Sequence, residues 1–202
     1  MLKAKIAVLV SGGGTNLQAL IDAQNSGIIT SGEITLVISS SPNAYAIERA
    51  KNHNIEYAVV SKKELGGQKA FEEKIVSLLE DHRIDIIVLA GFMCILSKDF
   101  TDKYPERILN VHPSLIPSFC GEGFYGLHVH EKALEYGVKV TGATVHFVNE
   151  IPDGGKIIMQ KAVEIEDGDT PESLQKRVME KAEWIILPRS VELVSKKYAK
   201  GI

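Results

Sequence analysis

The sequence predicts a mixed α/β fold, a parallel N-terminal half continued by an antiparallel C-terminal edge. Three observations carry that expectation. Short β-branched runs alternate with longer amphipathic stretches through the first half of the chain, the rhythm of βαβ units. Two later strand-like runs are separated only by Pro152-Asp153-Gly154-Gly155, too short for a crossover and therefore a sign of antiparallel pairing. The length of 202 residues, 45% of them apolar, suits a single unit spanning 1–202; at that size roughly 70% of the unfolded surface is buried.

Taken in order, Lys5–Val10 reads as a buried strand ended by Ser11-Gly12-Gly13-Gly14. A helix follows over Thr15–Gln24, with Leu17, Leu20 and Ile21 on one face. Ile34–Ile38 is the second strand, after which Ser41-Pro42 opens a helix running to Asn52. Tyr57–Val60 is a short third strand, and Phe71, Ile75, Leu78, Leu79 and His82 keep helical period. Asp85–Ala90 is apolar on both faces, as a central parallel strand requires. Arg107–Val111 is a strand that runs into His112-Pro113, followed by a Gly/Pro/Ser-rich loop to Gly126. A helix over His128–Tyr136 precedes the strands Thr141–Val148 and Lys156–Ile165. Thr170-Pro171-Glu172 starts a last helix lined by Leu174, Val178, Ala182 and Ile185, which Pro188 is expected to kink or end.

Composition excludes several functions. Lys+Arg 23 against Asp+Glu 26 gives a net charge of −3, without the cationic surplus that nucleic-acid binding needs. Two cysteines, Cys94 and Cys120, cannot build a secreted disulfide framework and form no C-x-x-C zinc pair. The longest apolar run, Ile86–Leu96, falls short of the ~18–20 residues that cross a bilayer. The apolar stretch Ile6–Val10 is shorter than the roughly 7–15 residues of a signal-peptide core. A cytoplasmic protein with no membrane or nucleic-acid partner is the expectation.

A strand, then S-G-G-G-T-N-L, then a helix is an arrangement that binds phosphate on backbone N–H groups and the positive helix end. A Walker motif would need Lys-Ser/Thr where Thr15-Asn16 stands. The dinucleotide fingerprint wants a third glycine at Leu17 and an acidic residue after the second strand, which ends in Ser39-Ser40-Ser41. A small phosphomonoester on Gly14, Thr15 and Asn16 fits better, the alternative being a plain tight turn. Asn110 and His112, two apart on one strand, project from the same face at its carboxyl end, where open α/β sheets place ligands. A carboxamide beside an imidazole can stabilise an oxyanion and carry a proton; the alternative is a capping Asn and a structural His. Asp153 lies in a turn signal, and if that turn folds over His112 its carboxylate favours the charged imidazole. His128-x-His130 has no acidic or thiol partners in register, and no metal is expected.

S-G-G-G-T-N-L-Q-A-L, V-L-A-G-F-M-x-I-L-S, L-N-V-H-P-S-L-I-P, G-L-H-V-H and D-G-G-K-I-I-M-Q occur in the order and spacing of the phosphoribosylglycinamide formyltransferase family, which this chain resembles from Ile6 to about Pro188. The resemblance implies a Rossmann-like formyltransferase-type sheet. It also implies transfer of a formyl group from 10-formyltetrahydrofolate, as co-substrate, to the amine of glycinamide ribonucleotide. The runner-up is formyltetrahydrofolate hydrolysis, with water in place of the amine. By the resemblance Asn110, His112 and Asp153 are the catalytic trio, and Gly14, Thr15, Asn16 and Glu183 bind the ribonucleotide. Gln68, Met93, Cys94, Ile95, Leu96 and the segment Asn149, Glu150, Ile151, Pro152 and Asp153 line the folate site together with Asn110. The family often carries Arg where Cys94 stands and a basic residue near Gln68 for the folate tail, for which Lys69 is the available cation. The loop S-F-C-G-E-G-F-Y is longer than the form in some members. A monomer or weak homodimer is implied.

Overall fold

In the computed structural model, which describes residues 2–199, seven strands form one sheet: β1 (Ala4–Val10), β2 (Gly32–Ser39), β3 (Glu56–Val59), β4 (Ile86–Leu89), β5 (Ile108–His112), β6 (Val140–Phe147) and β7 (Ile157–Glu164). Residue 1 and residues 200–202, the extremities of the expected 1–202 unit, lie outside the described residues. The strand order is β3-β2-β1-β4-β5-β6-β7. The first five strands pair in parallel, whereas β6 and β7 add antiparallel. The carboxyl ends of β1, β4 and β5 therefore share one edge of the sheet, beside the point where strand order reverses between β1 and β4.

The period-2 alternation of β1 decides which helices cover which face. Ile6, Val8 and Val10 pack with apolar residues of α1 (Thr15–Asn25), α2 (Ala46–Asn52), α6 (Pro171–Val178) and α7 (Trp184–Tyr198). Ala7 and Leu9 face Phe71, Ile75 and Leu79 of α3 (Gln68–Asp81) and Phe100 of the short α4 (Lys98–Thr101). On β5, Ile108 belongs to this second face, so Asn110 and His112 rise from it as well. Helix α5 (Leu127–Tyr136) packs beside α6, with Val129 and Ala133 buried.

Two expectations need correction. Ser41-Pro42 does not open a helix, because α2 starts at Ala46. The Ser39 hydroxyl donates to the Ser41 carbonyl and the Asn43 N–H bonds the Ser41 hydroxyl, so local side-chain bonds capture the backbone in a turn first. Pro188 does not end the last helix, since α7 continues to Tyr198. The bond that a proline removes runs to the carbonyl four residues back, here Trp184, the first residue of α7. That gap falls directly after a five-residue π-helical turn, Met179–Glu183, where the ladder is already interrupted. The start of α6 is as expected: Thr170 and Ser173 form a reciprocal capping box with Pro171 in the first turn.

Gly155 follows the β6–β7 turn where the chains approach closely, and a Cβ there would be driven into the Phe147 carbonyl oxygen. Gly155→Ala is expected to cost about 2 kcal/mol or more by overpacking. Thermal denaturation should show it as a fall of about 4–8 °C in Tm.

Candidate active site

The turn after β1 places Gly14 at φ 71, left-handed backbone, as the N-cap of α1. A Cβ at that position would lie 2.7 Å from the Ala46 Cβ, so both conformation and space call for glycine. The first intrahelical bond runs from Gln18 N–H to the Gly14 carbonyl, which leaves the N–H groups of the first turn without helical acceptors. Those donors and the positive end of an eleven-residue helix point to an anion. The Thr15 hydroxyl contacts the Met179 sulfur at 3.8 Å.

Asn16 and Glu183 meet across the fold, Asn16 Nδ2 donating to Glu183 Oε2 at 2.7 Å. Glu183 is the last residue of the π turn and is buried. A π turn widens the helix and is frequent at functional sites. Burial pushes the Glu183 carboxyl up to about 6, against the opposing pull of the Asn16 amide. Asn16 Oδ1 is buried without a hydrogen-bond partner among the described residues. An acceptor left unsatisfied in a buried position costs about 1–3 kcal/mol, which a ligand N–H or O–H would recover.

At the end of β5 the three polar side chains converge. His112 Nδ1 lies 3.5 Å from Asp153 Oδ2, and Asn110 Nδ2 lies 3.4 Å from Asp153 Oδ1. Asp153 reaches over the strand end because the turn before β7 folds back, with Asp153 itself at φ 55. His146 is the residue the sequence reading missed. It sits directly opposite Asn110 in the β5–β6 ladder, its Nε2 3.2 Å from Asn110 Nδ2 and 3.5 Å from Asp153 Oδ1. The signal was present: Thr144 and His146 are polar at alternate positions of β6, on one face of one strand.

Asp153 favours the charged His112 imidazole, as expected from its turn, but burial opposes it more strongly. Burial lowers the His112 pKa below its ordinary value and outweighs the raising effects of Asp153 and the Phe119 carbonyl, while His146 adds to the lowering. Desolvation penalises the imidazolium more than one carboxylate at 3.5 Å can repay. Burial thus favours the neutral form of the His112 imidazole. Burial alone would raise the Asp153 carboxyl, but His146, His112 and the Gly121 N–H together hold it below its usual range. Asp153 is therefore anionic.

The segment after β4 runs beside this group. Leu96 is buried in the core, Met93 and Ile95 are exposed, and Cys94 is half-buried. Ser11 ties the segment to the glycine turn, its hydroxyl accepting from Met93 N–H at 2.9 Å and its N–H donating to Gly91 at 3.1 Å. Gln68 does not reach outward: its amide donates to Glu72 and to the Ile95 carbonyl, and Glu72 also accepts from the Ser97 N–H and hydroxyl. A cleft of about 510 Å³ is lined by Lys62, Gln68, Met93, Cys94 and Ile95. The cation in that lining is Lys62, which sequence reading did not single out, whereas Lys69 pairs loosely with Glu73 at 3.9 Å. On the Asp153 side, Asn149 Oδ1 accepts from Ile151 N–H in a local turn, and Glu150, Ile151 and Pro152 are exposed. His128 and His130 do not face one ligand: His128 is exposed and bonds Glu131, whereas His130 is fully buried with neither ring nitrogen partnered among the described residues.

Residues 4–191 match the family described as formyl transferase. The chain is 45% identical over 193 residues to the human trifunctional purine biosynthetic protein adenosine-3, covering 96% of this chain and 18% of that protein. It is 42% identical over 197 residues to phosphoribosylglycinamide formyltransferase of Haemophilus influenzae, covering 98% of this chain and 88% of the relative. The chain thus spans under a fifth of the trifunctional relative's length and most of the Haemophilus one. Among solved structures, glycinamide ribonucleotide transformylase 1 from Symbiobacterium toebii superposes with a TM-score of 0.89 at 38% identity, covering 96% of this chain and 89% of that one.

Proposed function

The chain belongs to the formyl transferase family, and from that membership we propose that it transfers the formyl group of 10-formyltetrahydrofolate to the amine of glycinamide ribonucleotide in purine biosynthesis. The products are formylglycinamide ribonucleotide and tetrahydrofolate. The observation that carries the reading is the convergence of Asn110, His112 and Asp153, within 3.5 Å of one another through Asp153, at the end of β5. The reading takes 1–202 as one catalytic unit, Rossmann-like in its parallel half, working in the cytoplasm as a monomer or weak homodimer. Two unpaired cysteines suit a reducing compartment.

In this reading the ribonucleotide phosphate lies on the N–H groups of Gly14, Thr15 and Asn16, and Glu183 receives the substrate amine. The folate lies against Met93, Cys94, Ile95, Leu96 and Asn110, between the Gln68 tether and the segment Asn149–Asp153, with its carboxylate tail towards Lys62. The amine lone pair attacks the formyl carbon, and the carbonyl electrons move to oxygen. Asn110 Nδ2 donates to that oxyanion. His112, neutral beforehand, takes the proton that the attacking nitrogen sheds. The growing negative charge and Asp153 both favour the imidazolium at that moment. The carbon–N10 bond then breaks and His112 returns the proton to N10. Holding the two substrates side by side removes much of the entropic barrier.

Incubation with glycinamide ribonucleotide and 10-formyltetrahydrofolate tests the proposal. Tetrahydrofolate release that requires the ribonucleotide supports it; release at the same rate with water alone means hydrolysis and contradicts it. Glu183 adds a pH dependence of known sign. Above about 6 its carboxyl is ionised and accepts hydrogen bonds from the substrate amine with its full negative charge, and below that value it is neutral. Ribonucleotide affinity is therefore expected to fall as pH drops through that value. Glu183→Gln should weaken binding by about 10–100-fold at pH 7.5 and flatten the dependence in a calorimetric titration.

A further inference from the structure

We propose that Phe119 is a positioning residue, whose ring-anchored main-chain carbonyl fixes His112 in the tautomer that leaves Nδ1 open to the reacting atoms. The inference rests on the reading of His112 as proton carrier given above. The segment 118–121 lies outside every strand and helix that supplies a site residue, yet it contacts two of the three catalytic side chains. His112 Nε2 lies 2.8 Å from the Phe119 carbonyl oxygen, and the Gly121 N–H donates to Asp153 Oδ2 at 2.8 Å. A carbonyl oxygen can only accept, so Nε2 carries the hydrogen. In a neutral imidazole Nδ1 is then the bare nitrogen, and it faces Asp153 Oδ2 at 3.5 Å, beyond ordinary hydrogen-bond length. The proton exchanged during transfer enters and leaves on that side.

What holds the carbonyl there is visible in the loop itself. Phe119 has φ 48, a left-handed conformation that a bulky residue resists. Such a conformation persists where its surroundings over-determine it. Its ring packs against Phe124, centroids 6.3 Å apart, and edge-on to Tyr136 at 6.0 Å. Tyr136 is the last residue of α5, so the ring ties the loop to a helix. The titratable groups around His112 are Asp153, His146 on β6 and His130 on α5, with the Cys120 thiol beside Phe119 and bonded to the Pro117 carbonyl. The hydrogen-bond partner of His112 Nε2 is the Phe119 oxygen.

Long-range ¹H–¹⁵N NMR of the histidine rings, with His112 assigned by its loss in His112→Ala, is combined with steady-state kinetics on the full chain. The parent is expected to show the Nε2–H tautomer. Phe119→Ala should show both tautomers, with kcat lower by about 10–100-fold and the ribonucleotide KM unchanged; Phe119→Tyr should restore both readouts. A folded Phe119→Ala with the parent tautomer and parent kcat overturns the proposal, and so does an Nδ1–H parent. If Phe119→Ala does not fold, the parent spectrum decides alone. If the parent transfers no formyl group, the functional reading fails, while the tautomer ratio still decides for or against the clamp.

Discussion

Replacing His112 by alanine is expected to lower kcat for formyl transfer by about 10²–10⁴, because one side chain supplies both proton transfer and charge stabilisation. The ribonucleotide Kd should stay within about twofold, less than 0.5 kcal/mol, since the glycine turn and Glu183 do not touch His112. The substitution also empties a buried position and strips the Phe119 carbonyl of its donor, costing about 1–3 kcal/mol of stability. Kinetics are therefore compared well below the Tm. His112→Gln separates the two roles, because an amide can donate a hydrogen bond and cannot carry a proton. Its kcat is expected to fall between those of the parent and His112→Ala. Near-parental turnover in His112→Ala removes the imidazole from the mechanism.

Asp153→Asn should be the second most damaging change, lowering kcat by about 10²–10³ with little loss of shape. Its effect on pH has a definite sign. His112 must be neutral to take the proton, so the rate falls as pH drops through the His112 pKa. Asp153 raises that pKa against the dominant effect of burial. Removing the carboxylate lowers it further, and the acid limb of the kcat profile moves to more acidic pH. A limb that moves towards neutrality contradicts the assigned polarity. Stability follows the same groups. The folded-state pKa of His112 is depressed, so the unfolded chain takes up its proton first. Stability therefore declines as pH falls below the ordinary imidazole value of 6.5.

Much of the architecture was legible because it depends on local patterns. Strand runs such as Lys5–Val10 and Asp85–Ala90, and the helix repeat of Leu17, Leu20 and Ile21, are set by periodicity, which needs no knowledge of distant residues. Asn110 and His112 were legible for the same reason, being two apart on a strand that Pro113 stops. Features decided by long-range contact were not. Pro188 reads as a kink or an end, and the continuation of the helix to Tyr198 follows from the π turn ahead of it. That the Gln68 amide bonds Glu72 and the Ile95 carbonyl, and so holds the neighbouring segment, depends on a contact 27 residues away that spacing does not show. The charge on His112 depends on how much water the fold removes, which spacing does not reveal. The contacts of Phe119 and Gly121 belong to a loop with no period at all.

In the proposed mechanism His112 and Asp153 act as one unit on a single proton and a single developing charge. A double-mutant cycle of ribonucleotide-dependent formyl transfer measures this directly, with the parent, His112→Ala, Asp153→Asn and the double variant. The double variant is expected to be about as slow as His112→Ala alone, because the charge that Asp153 supports during transfer is carried by the His112 imidazole. Losses that multiply in full would show two independent contributions and contradict the mechanism.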